Sequence, residues 1–161
     1  MSQWRFEEYS DQFDTSKFDC GELILNEYLN KYMKQDLKRN ASVSVLAVGS
    51  NDEVVGFYTL SSGSVQFENF PETLKKKIAP YPVPIARMGR LAVDRSMQRQ
   101  GLGRELLLHA FSRVEALATK IGIRAIVVDA KNESAEFFYL KYGFAYLQNS
   151  AGSKKSFFMI I

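Results

Sequence analysis

The residues best able to do chemistry lie in one run: Arg90-Leu91-Ala92-Val93-Asp94-Arg95-Ser96-Met97-Gln98-Arg99-Gln100-Gly101-Leu102-Gly103-Arg104. An apolar strand pattern passes into a turn, and two glycines then open a helix. The first N–H groups of a helix have no internal partner, and with the helix dipole they form a site for an anion. Gly101 and Gly103 have no side chain, so a phosphate can approach the backbone closely. Arg99 and Arg104 add positive charge. The run is not a Walker A loop, because no Gly-Lys-Ser/Thr follows. It is not a dinucleotide fingerprint either, since Leu106 stands where the third glycine belongs. These residues alone leave two readings open: a phosphate loop, or a tight turn into a core helix.

Nucleophilic catalysis has little support. There is one cysteine, Cys20, and one histidine, His109. Such a pair could form a nucleophile and its base. Cys20 lies between Asp19 and Gly21, where a small residue at the start of a helix is the plainer account. No close carboxylate pair suggests a general base, and nothing suggests a metal site.

The elements that must position this loop follow from periodicity. Trp4 to Glu7 reads as a strand. Asp19 is placed to N-cap a helix over residues 22–39, with Leu23, Leu25, Leu29, Met33 and Leu37 about one turn apart. Val43 to Val48 and Val54 to Ser61 read as a hairpin around Asn51-Asp52. Residues 69–84 contain all four prolines and Lys75-Lys76-Lys77, with a short helix expected between Pro71 and Pro80. Ile85 to Val93 is a strand. Gly101 to Thr119 is an amphipathic helix whose stripe is Leu102, Leu106, Ala110, Val114, Leu117 and Ile121, with His109 on its partly exposed flank. Ile123 to Val128 reads as a buried strand, and Ser134 to Tyr142 as a helix stopped by Gly143. Phe144 to Leu147 and Phe157 to Ile161 are strands. Strands alternating with helices predict an α/β protein with a mixed sheet.

The order Gln98-x-x-Gly101-x-Gly103 resembles the signature of GNAT-type N-acetyltransferases, and Asn132 through Phe144 (N-E-S-A-E-F-F-Y-L-K-Y-G-F) resembles that family's second motif. Phe18-Asp19-Cys20-Gly21, Val54 to Leu60, Pro82 to Asp94 and Gly122 to Ala125 are similar more narrowly to the acetyltransferase toxins of bacterial type II toxin–antitoxin modules. The chain departs from that pattern at Gln100, where many such sequences have glycine. It departs again over the polar residues 150–156. The resemblance implies a single GNAT domain over residues 1–161, with a mixed, mostly antiparallel sheet of six to seven strands flanked by helices.

It also implies acetyl-CoA as donor, without a metal, and the α-amino group of aminoacyl-tRNA as acceptor, which would block translation. The alternative is a small-molecule amine or a protein N-terminus. Leu91, Ala92 and Val93 would offer backbone groups to the pantetheine arm. Gln98, Arg99, Gln100, Gly101, Leu102, Gly103 and Arg104 would hold the pyrophosphate, and Asn132 would contact the cofactor as well as N-capping a helix. Tyr139 would be the general acid for the departing thiolate, with Tyr142 its local competitor. Direct attack by the amine needs no covalent intermediate. An α-amine titrates near pH ~8, against ~10.4 for lysine, so it needs little help from a base. A cognate ribbon-helix-helix antitoxin and a homodimer are further expectations.

Charge bears on the acceptor. The net +3 conceals a −5 over residues 1–30 and a +8 over the rest. Basic residues gather at Lys31, Lys34, Lys38 and Arg39, at Lys75 to Lys77, and at Arg87, Arg90 and Arg95. For any one group a solvated face is the plainer reading. With the resemblance, Arg87, Arg90, Lys34 and Lys38 become candidate tRNA contacts; on a regular strand Arg87 and Arg90 face opposite sides. A lone cysteine excludes an intrachain disulfide framework and suggests a reducing cytoplasm. The N-terminal residues do not read as a signal peptide, and no apolar run is long enough to span a membrane.

Overall fold

The computed structural model describes residues 3–148 and 155–161. The departure noted over residues 150–156 therefore lies largely outside the described residues. Seven strands are hydrogen-bonded in the order β1-β2-β3-β4-β5-β7-β6. They are β1 Arg5–Glu8, β2 Val43–Val48, β3 Val54–Val65, β4 Val83–Val93, β5 Ala125–Ala130, β6 Ala145–Tyr146 and β7 Lys155–Ile160. The pair β4·β5 is parallel, while β1·β2, β2·β3, β5·β7 and β6·β7 are antiparallel. The expected mixed and mostly antiparallel sheet is what forms.

Two compact units divide the chain. The first comprises Met1–Ser61 with Arg90–Ala110. Its core gathers Phe13, Phe18, Tyr28, Leu29, Met33, Leu46 and Phe57 around Ala92 of β4. The hairpin β2·β3 pairs Leu46 with Phe57, and its turn places Asp52 at φ +56°, a conformation that Asp tolerates. The second unit comprises Ser62–Gly89 with Phe111–Ile161. Its core gathers Phe70, Val83, Ile85, Ala125, Val127 and Phe158. The β-branched run of β5 is buried at Ala125 to Val128, as a strand flanked on both sides requires.

The single helix expected over residues 22–39 is three pieces: α1 Leu23–Glu27, a π-helical turn Tyr28–Tyr32 and α2 Met33–Lys38. The extra residue of the π turn shifts the helical register, so the even apolar spacing fails at its ends. Leu29 and Met33 are buried, but Leu23 is 79% exposed and Leu37 faces solvent. Asp19 does not N-cap this helix; Glu22 stands at that position without a side-chain bond. The short α3, Glu72–Lys75, falls between Pro71 and Pro80 as expected.

The long helix α4 runs Leu102–Leu117. Leu102, Leu106, Ala110 and Val114 are buried along one stripe, whereas Leu117 and Ile121 are exposed and do not continue it. His109 is half-buried on the flank, where its Nδ1 lies 2.7 Å from the Tyr58 hydroxyl. The last helix, α5, runs Glu133–Lys141, and Gly143 closes its end at φ +93°. No helix among the described residues is long and apolar enough to cross a membrane.

Candidate active site

In the first unit, β4 delivers the chain to the glycine-opened turn. Arg99 (φ +63°) and Gly101 (φ +89°) both adopt the left-handed region, flanking Gln100. The first bond closing α4 runs from the Glu105 N–H to the Gly101 carbonyl at 3.1 Å. The N–H groups of Leu102, Gly103 and Arg104 have no backbone acceptor among the described residues. Left-handed residues in such a turn aim successive N–H groups into a concavity suited to an anion. A Cβ on Gly101 would meet nothing within 4 Å, so the approach to this backbone is open. Gln100 has no positive φ, which explains why a side chain is accepted where glycine was expected. Its Nε2 donates to the Ser96 carbonyl at 3.0 Å.

Gln98 differs from its expected role. Its Nε2 donates to the Val93 carbonyl at 2.9 Å and to the Cys20 carbonyl at 3.2 Å. The amide therefore braces the turn instead of presenting its N–H groups to a phosphate. It forms part of a latch that sequence reasoning missed. Asp94 accepts from the Asp19 N–H at 2.8 Å, and the Arg95 N–H donates to the Asp19 carbonyl at 2.9 Å. Asp94 also accepts from the N–H and hydroxyl of Ser96 at 2.9 and 2.6 Å. This last pair is the usual Asp-x-Ser turn and was readable locally. The link to residue 19, across 75 positions, was not. The Asp19 carboxylate meanwhile accepts from the Gly21 N–H and from Asn26, which hold its pKa below the usual range.

Leu91 and Val93 are half-buried, and Ala92 is buried with its carbonyl directed at Gly56. A Cβ at Gly56 would lie 3.1 Å from that oxygen and from Leu102 and Leu106, so a side chain there would require its neighbours to shift by a few tenths of an ångström. Arg104 is exposed and 3.6 Å from Glu105. Lys34 is paired with Asp11 at 2.9 Å and Lys38 lies exposed beside it. Arg90 lies over the Tyr28 ring, 3.7 Å from its centroid.

In the second unit, Tyr139 sits on α5 among Phe138, Phe144 and Phe157, with ring centroids 5.4, 5.7 and 6.5 Å away. Only 3% of the residue is exposed. Its hydroxyl has no hydrogen-bond partner among the described residues, and no fully buried side-chain polar atom there is unsatisfied. The oxygen therefore sits at the solvent-reaching end of the ring. Burial, then the negative charge of Asp129, raise its pKa far above the ordinary phenol range. Asp129 Oδ1 accepts from Arg87 Nη1 and from the Ser156 hydroxyl, each at 2.7 Å. Arg87 is thus committed to an ion pair. Asn132 N-caps α5, its Oδ1 accepting from the Ala135 N–H at 2.9 Å. Tyr142 stacks edge-on against Phe138, as a packing residue does.

Comparison with known proteins gives this geometry a lineage. A family model described as "Acetyltransferase (GNAT) family" matches residues 1–144. A tRNA-acetylating toxin of Mycobacterium tuberculosis is 38% identical over 135 residues, covering 84% of this chain and 80% of the toxin. The structure of AtaT complexed with acetyl-methionyl-tRNAfMet superposes with a TM-score of 0.89 at 30% identity, covering 98% of this chain and 94% of that one. A tyrosine-to-phenylalanine mutant of the AtaT toxin, bound to the C-terminus of the antitoxin AtaR and acetyl-CoA, gives a TM-score of 0.82 at 28% identity, covering 99% and 94%. A strand that ends in a glycine-opened helix, with three N–H groups that have no backbone acceptor among the described residues, is thus joined to a family match over most of the sequence, and the chain belongs to the GNAT family of acetyltransferases.

Proposed function

We propose that this protein is an acetyl-CoA-dependent toxin that acetylates the α-amino group of aminoacyl-tRNA and so blocks translation. The observation that carries the donor half is the turn at Arg99–Gly101 with the free N–H groups of Leu102, Gly103 and Arg104, which suits a pyrophosphate. The acceptor half is supported by the similarity to the tRNA-acetylating toxin and to AtaT bound to its acetylated tRNA.

The chemistry assigns few roles. The neutral α-amine attacks the thioester carbonyl, the C–S bond breaks, and the thiolate takes a proton from Tyr139. The proton lost by the new ammonium returns to the tyrosine through water. A phenol with a raised pKa is fully protonated at neutral pH and can serve as that donor. Leu91 to Val93 would carry the pantetheine arm. Arg99 and Arg104 would add charge at the phosphates, and Gln98 and Gln100 would hold the turn. Asn132 would contact the donor through whatever its capping role leaves available. Lys34, Lys38 and Arg90 are the candidate tRNA contacts, and Arg87 becomes a weaker one because Asp129 neutralises it.

A ribbon-helix-helix antitoxin, a homodimer and a cytoplasmic location complete the reading; the AtaT complex with the AtaR C-terminus supports an antitoxin partner. Purified protein, labelled acetyl-CoA and a full set of charged tRNAs provide the test. Label on the aminoacyl group of at least one tRNA is expected. A wholly unlabelled set, with turnover of small amines instead, would sink the proposal.

A further inference from the structure

Arg90 stands apart from Arg87 and Arg124, which are also half-buried. Arg87 is held by Asp129, and Arg124 donates to the carbonyls of Ile161 at 2.9 Å and Lys77 at 3.3 Å. Arg90 has neither an ion pair nor a side-chain hydrogen bond among the described residues; its guanidinium carbon lies 3.7 Å from the centroid of the Tyr28 ring. A guanidinium held over an aromatic face makes no hydrogen bond to the ring plane's edge and keeps N–H donors for another partner. That arrangement is suited to bidentate contact with a phosphate.

The platform beneath it is rigid. Tyr28 is 4% exposed and stacks on Phe57 with centroids 6.3 Å apart. Its hydroxyl donates to the Asp36 carboxylate at 2.9 Å and lies 3.0 Å from the Ser42 hydroxyl. Tyr28 is also the first residue of the π turn. Irregular turns of this kind recur at functional sites.

We propose that Arg90 and Tyr28 form a phosphate site for the acceptor: Arg90 holds a backbone phosphate of the single-stranded 3′ end of charged tRNA, and Tyr28 positions it. The assignment rests on the aminoacyl-tRNA reading above. The donor's phosphates are the competing source, but the free N–H groups at the start of α4 already provide for them. Strands rise about 3.3 Å per residue, so Arg90 starts about 10 Å back along β4 from Val93 and away from that turn.

Parallel titrations of the two substrates separate the sources. Arg90→Ala is expected to raise KM for charged tRNA about tenfold. It should also flatten the dependence of log(kcat/KM) on log[salt] by about 0.7, the value of one contact to a single strand. Its Kd for acetyl-CoA, measured by calorimetry, should stay within about twofold. Arg90→Lys keeps the charge without the stacked fork and should fall between. Tyr28→Phe keeps the ring and should retain the wild-type salt slope, whereas Tyr28→Leu should lose as much slope as Arg90→Ala. Melting temperatures are read alongside; if Tyr28→Leu does not fold, Arg90→Lys and Tyr28→Phe decide. Unchanged tRNA KM and salt slope in Arg90→Ala overturn the site. A weakened acetyl-CoA Kd with an unchanged tRNA KM overturns it too, by assigning the phosphate to the donor. A wild-type protein that labels no charged tRNA overturns the underlying reading instead, before any variant is made.

Discussion

Tyr139 has a ring enclosed by three phenylalanines and a hydroxyl with no protein partner among the described residues. The ring accounts for packing, and the proposed proton donation needs only the hydroxyl, so Tyr139→Phe separates them. Its kcat should fall by about 10²–10⁴, the usual worth of a general acid, while the melting temperature holds because the packing is kept. Thiol release and thermal denaturation check the two halves. The raised pKa has a second consequence. Tyr9 is pushed up to about 12 by burial and by its bond to Asp11, and Tyr28 and Tyr139 are raised chiefly by burial. Each binds its proton more tightly folded than unfolded. Their contribution to stability is therefore full below about pH 10, the unfolded value, and is lost as pH rises through the folded values. Urea midpoints should be flat across this effect up to about pH 10 and fall above it, with a smaller fall in Tyr9→Phe.

At the level of elements, the loop before α4 depends on backbone shape as much as on charge. Gly101 sits at φ +89° with open space where a Cβ would be, so Gly101→Ala introduces conformational strain without a clash. About 1–2 kcal/mol of lost stability is expected, with a raised KM for acetyl-CoA. Gln98→Ala should also raise that KM, by freeing the turn from Val93 and Cys20 and not by removing a phosphate ligand. Crystallography of the variant would show the turn displaced. Strand, glycine turn and helix were legible in the sequence because their signals are local: β-branched runs, Gly-x-Gly, and Leu102, Leu106 and Ala110 at helical spacing. The π turn was not legible, because Leu25, Leu29 and Met33 fit an unbroken helix equally well. Nor were the Gln98 latch and the Arg90–Tyr28 stack, whose partners lie 78 and 62 positions apart in the chain. Chemistry at such separations leaves no periodic trace.

For the whole molecule, charge is unevenly distributed along the chain, −5 over residues 1–30 and +8 over the rest. Within the acidic part, Glu7 is 2.9 Å from Arg5, which also reaches Asp52 at 2.6 Å. If tRNA is held by the basic part, Glu7→Lys should leave tRNA affinity unchanged at any salt concentration, and filter binding would detect a loss or gain. Each compact unit is also assembled from stretches distant in sequence, and β7 takes a place between β5 and β6. Order of synthesis then matters. At about 5–20 residues per second, Asp19 is made roughly 4–15 s before its partner Asp94. Through that interval the loop latch does not exist, and β7 adds its place in the sheet later still. A nascent copy would therefore gain acetyltransferase activity only after β7 has been made.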